Sequence, residues 1–124
     1  MILSKNGYPY KIAVVTIQEG QYILANGNLY IIELDESKVN PYFLMAFFDS
    51  ESGNTALNNI TVGSVIPNIG VDKLKKIIIP LPSLEEQEHI ARKYQETQNE
   101  VLEIKCSLEK AVNKLHHIFD EKSN

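Results

Sequence analysis

Three groups of side chains in this chain of 124 residues have the types that acid–base, metal or nucleophilic chemistry uses. Glu85 and Glu86 are adjacent carboxylates. A pair working as acid and base must face one substrate, whereas neighbours on a helix point about 100° apart. Both stand just before a periodic apolar run, where negative charge complements the start of a helix. His116, His117 and Asp120 gather two imidazoles and a carboxylate within about one turn. A zinc site takes four ligands, and no Cys or further His is placed to complete it, so the group reads as a solvated helix end. Cys106 is the single cysteine and has no neighbouring His to activate it. It forms no internal disulfide, which suits a reducing cytosol. Gly7, Gly20, Gly27, Gly53, Gly63 and Gly70 are too dispersed for a phosphate-cradling loop. No catalytic centre, metal site or cofactor site emerges.

What remains is a set of polar and aromatic residues at turn signals: Ser4, Lys5, Asn6, Tyr8, Tyr10, Lys11, Asn26, Asn28, Ser64 and Asn68. Asn, Ser and Lys can donate to or accept from base edges in a DNA groove, and Tyr can stack or donate to phosphate. On composition alone the same residues are turns and the rim of a core. Charge argues against a strongly basic, backbone-tracking binder: the net charge is −4 and the pI about 5.3. The acidity is uneven. Residues 1–83 hold six lysines against seven carboxylates, and residues 84–124 six cations against nine carboxylates. The first part is therefore near neutral and could read bases while other subunits supply phosphate contacts. No apolar run approaches the roughly 20 residues that span a bilayer, and no secretory leader stands at the start. The expected compartment is the cytoplasm, with no membrane association.

The elements that must position these residues fall into two parts. Ile2–Lys5, Lys11–Ile17, Tyr22–Ala25 and Leu29–Leu34 read as strands, separated by turn signals at Asn6-Gly7, Glu19-Gly20 and Asn26-Gly27-Asn28. Asn40-Pro41 predicts a helix start, with Asn as cap and Pro at the first helical position. Asn40-Pro41-Tyr42-Phe43 resembles the Asn-Pro-Pro-Tyr/Phe signature of amino-methylating DNA enzymes, but the second Pro is missing and the helix-start reading is preferred. Phe43, Leu44, Phe47 and Phe48 supply a buried stripe, and Gly53 is the expected terminator. Residues 56–68 read as loop, and Ile77-Ile78-Ile79 as a short strand buried on both faces and stopped by Pro80.

Ser83-Leu84-Glu85-Glu86 fits a capping box, which predicts a helix start at Leu84. From there apolar residues follow a heptad. Tyr94, Val101, Leu108 and Leu115 form one row; Ile90, Thr97, Ile104, Ala111 and Ile118 form the other. Leu102, Val112 and Phe119 widen the face. About four heptads make roughly 45 Å of helix. A domain lying beside the first turns cannot cover that length, so the helix calls for a partner. The expected fold class is α+β: a β-rich domain over 1–83, then a long coiled-coil helix over 84–124.

In their order along the chain these segments resemble the target-recognition domain of specificity (S) subunits in type I restriction-modification enzymes. The likeness rests on Ile2-Leu3-Ser4-Lys5-Asn6-Gly7, Ile12–Val15, Asn26-Gly27-Asn28-Leu29, Pro41-Tyr42-Phe43-Leu44 and Gly63-Ser64. Its most specific segment is Leu74-Lys75-Lys76-Ile77-Ile78-Ile79-Pro80-Leu81-Pro82, followed by Glu86-Gln87 and Ile90. The resemblance implies a non-catalytic DNA-reading component without cofactors. It also implies two recognition domains held apart by long helices that pair antiparallel. Its implied partners are double-stranded DNA, the methyltransferase (modification) subunits and, through them, a restriction subunit.

Two departures stand out. The chain starts inside the recognition-domain pattern, and it carries one domain and one helix. That is expected of a fragment, a truncated product, or a half-subunit that forms a homodimer or pairs with another S half. The seam would be Ile90, Tyr94, Val101, Ile104, Leu108, Ala111, Leu115 and Ile118. Two other readings stand beside this one. One is a coiled-coil assembly or protein-interaction module without DNA readout, which the near-neutral charge favours. The other, a methyltransferase fragment, lacks cofactor-binding residues.

Overall fold

The chain opens on a short apolar run, Met1-Ile2-Leu3, which leads into a strand in the middle of a sheet. In the computed structural model, which describes residues 1–4, 10–16, 18–22, 24, 27–62 and 68–121, β1 (Ile2–Ser4) lies between β2 (Ile12–Ala13) and β3 (Leu29–Ile31). Both pairings are antiparallel, with Leu3 opposite Ile12 on one side and Tyr30 on the other. The central position explains why Leu3 is wholly buried. The Met1 ammonium extends the ladder by donating to the Ile32 carbonyl at 2.9 Å. The strands are shorter than expected: beyond Ala13 the described residues to Thr16 leave the sheet, and Tyr22 and Leu24 are not in a strand. Ile17, Ile23 and Ala25 lie outside the described residues. Gly20 takes φ +82° at the expected turn, a left-handed conformation that costs glycine little.

The Asn40-Pro41 signal opens α1 (Pro41–Asp49). Asn40 Oδ1 accepts from the backbone N–H of Tyr42 at 2.9 Å and of Phe43 at 3.4 Å. The side chain is thus occupied as a cap, in keeping with the helix-start reading over a methyltransferase motif. Phe43, Leu44, Met45 and Phe48 are buried. The predicted stop at Gly53 is not what ends α1. The helix ends at Ser50, whose hydroxyl donates to the Phe47 carbonyl and accepts from Gly53 N–H at 3.2 Å, so one residue closes α1 and caps α2 (Glu51–Asn59).

Gly53 has a different duty. A Cβ there would lie 1.9 Å from the Phe47 carbonyl oxygen and 2.5 Å from Phe48 Cα, both backbone atoms. Only a glycine lets α2 fold back so closely on α1. Gly53→Ala is therefore expected to cost about 2 kcal/mol in urea unfolding by forcing the two helices apart. An unchanged midpoint and slope would contradict this.

Much of the expected loop over 56–68 is structured. α2 continues to Asn59 because Leu57 plugs the core at 1% exposure. β4 (Thr61–Val62) and β5 (Asn68–Ile69) then pair antiparallel. The short α3 (Val71–Leu74) follows β5. Ile77-Ile78-Ile79 corrects the sequence reading: it forms no strand and is not buried on both faces. Ile78 is 90% exposed, while Ile77 and Ile79 pack on the core. The period-two alternation survives, but among the described residues no strand lies alongside, and Pro80 has no N–H for a ladder.

Leu3, Leu44, Phe48, Leu57 and Ile69 form the centre of the core, joining sheet, helices and the second hairpin. Ser83 Oγ accepts from Glu86 N–H at 3.2 Å, and α4 runs from Leu84 to Glu121. The fold is α+β, with a small mixed head and one long C-terminal helix. Among the described residues no helix is long and apolar enough to cross a membrane.

Candidate functional site

Among the described residues, Ser4, Lys11 and Asn28 of the candidate set lie at one end of the three-stranded sheet. Ser4 closes β1, pairs in register with Leu29, and exchanges hydrogen bonds with Lys11. Ser4 N–H donates to the Lys11 carbonyl at 3.0 Å, and Lys11 N–H donates to Ser4 Oγ at 2.9 Å. Lys5, Asn6, Tyr8, Asn26 and Ser64 lie outside the described residues. Asn28 immediately precedes the Leu29 that faces Ser4, so Lys11, Ser4 and Asn28 share this end. Lys11 and Asn28 are exposed and Ser4 half-buried.

Two tyrosine hydroxyls bind the second hairpin to the same sheet. Tyr10 Oη shares a hydrogen bond of 2.7 Å with Thr61 Oγ1, and Tyr30 Oη donates to the Ile69 carbonyl at 2.7 Å. Thr61 and Ile69 face each other across that hairpin, and exposed Asn68 pairs with Val62. Tyr10, expected from sequence as a contact residue, is half-buried with its hydroxyl bonded within the head. Lys11, Asn28 and Asn68 are the members of the set that are exposed among the described residues.

The head is joined to α4 by a residue that sequence reasoning quoted but assigned no role. Gln87 is 1% exposed. Its Oε1 accepts from Asn40 N–H at 2.8 Å, while Nε2 donates to the carbonyls of Lys38 at 3.1 Å and Pro82 at 2.9 Å. One amide thus ties the entry to α1, the Pro82 corner and the first turns of α4. A signal existed: Gln87 stands seven residues before Tyr94, a polar residue on an otherwise apolar row. Ala91, one turn on, is 2% exposed against the head.

Tyr94 continues that contact. Its hydroxyl donates to Asp49 Oδ2 at 3.2 Å and accepts from Gln98 Nε2 at 3.4 Å. Burial and the neighbouring Asp49 carboxylate raise the phenol above its usual value of 10.0. Because the folded phenol holds its proton more tightly, its contribution is complete below pH 10 and is lost as pH rises through the raised value. Tyr94→Phe is expected to cost only about 0.5 kcal/mol at neutral pH, since the bond is largely solvent-screened. It should also remove that alkaline loss, as read by thermal melts between pH 8 and 11. A variant whose alkaline limb matches the parent's would refute the assignment.

Past the head, every residue from 99 to 121 is exposed. The apolar rows are bare: Ile104 is 68%, Leu108 63%, Leu115 69% and Phe119 82% exposed. Most helix stability in proteins comes from packing an amphipathic face, and within this chain nothing described packs on this one. Of the seam positions, Tyr94 is half-buried against the chain's own α1, whereas Ile90, Val101, Ile104, Leu108, Ala111, Leu115 and Ile118 are exposed. His117 Nδ1 lies 3.6 Å from the Asp120 carboxylate in the last turns.

Residues 2–114 match the family model of the type I restriction modification DNA specificity domain, so the match runs across both the head and most of α4. The chain belongs to that family. Among curated proteins none matches it. In this specificity domain the segment that carried the resemblance, Pro80-Leu81-Pro82 to Gln87, is the corner at which the head grips the helix.

Proposed function

We propose that this chain is the DNA-reading component of a type I restriction-modification system and performs no chemistry itself. The head (1–83) reads one half-site of double-stranded DNA. The helix α4 (Leu84–Glu121) pairs with a second long helix and offers a docking surface to the methyltransferase subunits and, through them, a restriction subunit. The observation that carries this reading is the family match across both head and helix. Two features support the division of labour: the exposed Lys11 and Asn28 sit at the end of the sheet that Ser4 closes, with exposed Asn68 on the hairpin that Tyr10 and Tyr30 tie to that sheet, and the apolar helix face is uncovered. Lys5, Asn6, Tyr8, Asn26 and Ser64 belong to the proposed contact set by their place in the sequence. The proposed compartment is the cytoplasm, where the DNA substrate lies.

The test is selection from a random double-stranded DNA pool by the chain assembled with modification subunit, followed by sequencing of the bound fraction. An enriched half-site is expected. Substitutions at Lys11, Asn28 and Asn68, or at Lys5, Asn6 and Ser64, should change the enriched bases while leaving assembly intact. The net charge of −4 favours a second reading, an assembly module without DNA readout. A complex that forms normally and enriches no sequence would establish that reading instead.

A further inference from the structure

Half of the head's lysines stand on one turn. Residues 1–83 hold six lysines, and three of them, Lys73, Lys75 and Lys76, belong to α3 and the turn that ends it. Their direction is fixed by what lies between them. Leu74 and Ile77, about one turn apart, both pack against the core, so the side chains of Lys73, Lys75 and Lys76 face solvent. The backbone beneath them is held in place. The N–H groups of Leu74, Lys75, Lys76 and Ile77 donate in succession to the carbonyls of Gly70, Val71, Lys73 and Leu74, at 3.0, 3.0, 3.1 and 3.3 Å. Among the described residues none of the three joins an ion pair, whereas Lys38 lies 3.9 Å from Asp35. Asp72 is exposed in the same segment, and Glu33 lines the same groove as Lys75, but neither pairs with a lysine there. The near-neutral total of the head therefore hides a separation of charge. Residues 72–76 hold three lysines against one carboxylate, and the rest of 1–83 three lysines against six carboxylates.

We propose that Lys73, Lys75 and Lys76 are a phosphate anchor of the head, meeting the DNA backbone beside the half-site and fixing the head on the duplex without reading sequence. This rests on the DNA-reading role proposed above, and it assigns backbone contacts to the head itself rather than to other subunits alone. The residue type suits the task. An ε-ammonium is a compact charge on a flexible stem, so it follows phosphates of any sequence. Phosphate contacts set the register and orientation of a protein on a duplex, while contacts to base edges specify the site. A short, ordered path joins the two duties. Exposed Asn68 is followed by buried Ile69, whose carbonyl is held by Tyr30, and by Gly70, which opens α3. Pinned at Ile69 and again at Leu74, the turn holds its lysines in a fixed relation to that hairpin. The overall charge gives such a spot a further use. At net −4 the chain as a whole is repelled by phosphate, and a concentrated positive turn sets the side from which DNA is approached.

The test uses the full chain assembled with modification subunit, titrated at several salt concentrations with a random-sequence duplex and with a duplex carrying the half-site enriched in the selection above. Lys73→Gln, Lys75→Gln and Lys76→Gln combined should make the fall of log K with log salt shallower by about two to three, at about 0.9 per lost phosphate contact. Affinity at about 100 mM salt should drop at least about tenfold, by the same factor for both duplexes, and the enriched bases should not change. Lys73→Arg, Lys75→Arg and Lys76→Arg combined should keep the parent slope, and Lys38→Gln alone should leave it unmoved. Urea unfolding of the triple Gln variant should match the parent's, because all three side chains are exposed. A parent that enriches a sequence, with a triple Gln variant of unchanged slope, overturns the anchor and leaves the DNA-reading role standing. Altered bases in the variant's enriched site overturn it as well, by making the lysines readers. Loss of assembly with the modification subunit overturns it in favour of an acidic protein surface as their partner. A parent that enriches no sequence, but whose salt slope depends on the three lysines, upholds the anchor and removes the sequence readout.

Discussion

Replacing Gln87 by Ala is expected to destabilise the head by about 2–4 kcal/mol and to loosen its grip on the helix. The amide is nearly fully buried and serves three backbone groups, those of Asn40, Lys38 and Pro82. Truncation leaves the Asn40 N–H without its acceptor, at about 1–3 kcal/mol for an orphaned buried donor, and adds a cavity. Because the orphaned groups lie on both sides of the corner, amide exchange should accelerate around Asn40 and Leu84 together. A fall in stability confined to one side would contradict the clamp.

Gln87→Glu sharpens the same point through pH. One carboxylate oxygen could still accept from Asn40 N–H, but the other would face the carbonyls of Lys38 and Pro82, both acceptors. The ionised form is disfavoured there, so the folded acid should hold its proton above its ordinary value near about 4.3. A raised folded pKa means that stability is complete below the unfolded value and is lost as pH rises through the folded one. The gap between this variant and the parent should therefore widen from about pH 4 to pH 7 in urea unfolding. An equal gap at both ends would show that no proton sits in the clamp.

The second large effect is expected at the helix. Ile104→Asp with Leu108→Asp should abolish association through α4, weakening it at least about a thousandfold. Each side chain buried in a pair contributes about 1.5–3 kcal/mol, each occurs twice in a symmetric dimer, and the replacements are charged. The head should scarcely notice, because Ile104 and Leu108 are 68% and 63% exposed in the single chain. Unfolding of the head by denaturant should shift by less than about 1 kcal/mol. That separation makes the experiment decisive: unchanged association would remove these residues from the seam, whereas a collapsed head would mean that the helix is part of its core.

Local signals in the sequence translated well wherever one residue's chemistry decided the outcome. Asn40-Pro41 and Ser83 marked helix starts because a cap is a bond between a side chain and the next few N–H groups, and needs nothing distant. The long helix and its apolar rows were legible for the same reason, since periodicity is intrinsic to the chain. The errors fell where two segments had to meet. Gly53 looks like a terminator in isolation. Its place inside α2 follows from the approach of the Phe47 carbonyl, which only the folded pair of helices creates. Ile77-Ile78-Ile79 has strand composition, but a strand exists only when another lies beside it.

The candidate site divides in the same way. Asn, Ser, Lys and Tyr in turns announced polar chemistry, and the segment ending in Pro80-Leu81-Pro82 announced the family. Sequence could not tell that Tyr10 and Ser4 are half-buried and hydrogen-bonded within the head while Lys11 and Asn68 are exposed, because hydrogen-bond partners up to 51 positions away decide it. By itself, then, the sequence determined the long C-terminal helix, the helix starts and the apolar rows, all consequences of short-range bonding and period. Only the tertiary structure decided which polar residues are structural, that Gln87 locks head to helix, and that Tyr94 belongs partly to the head. Those outcomes depend on which distant backbone groups and side chains are brought together and shielded from water.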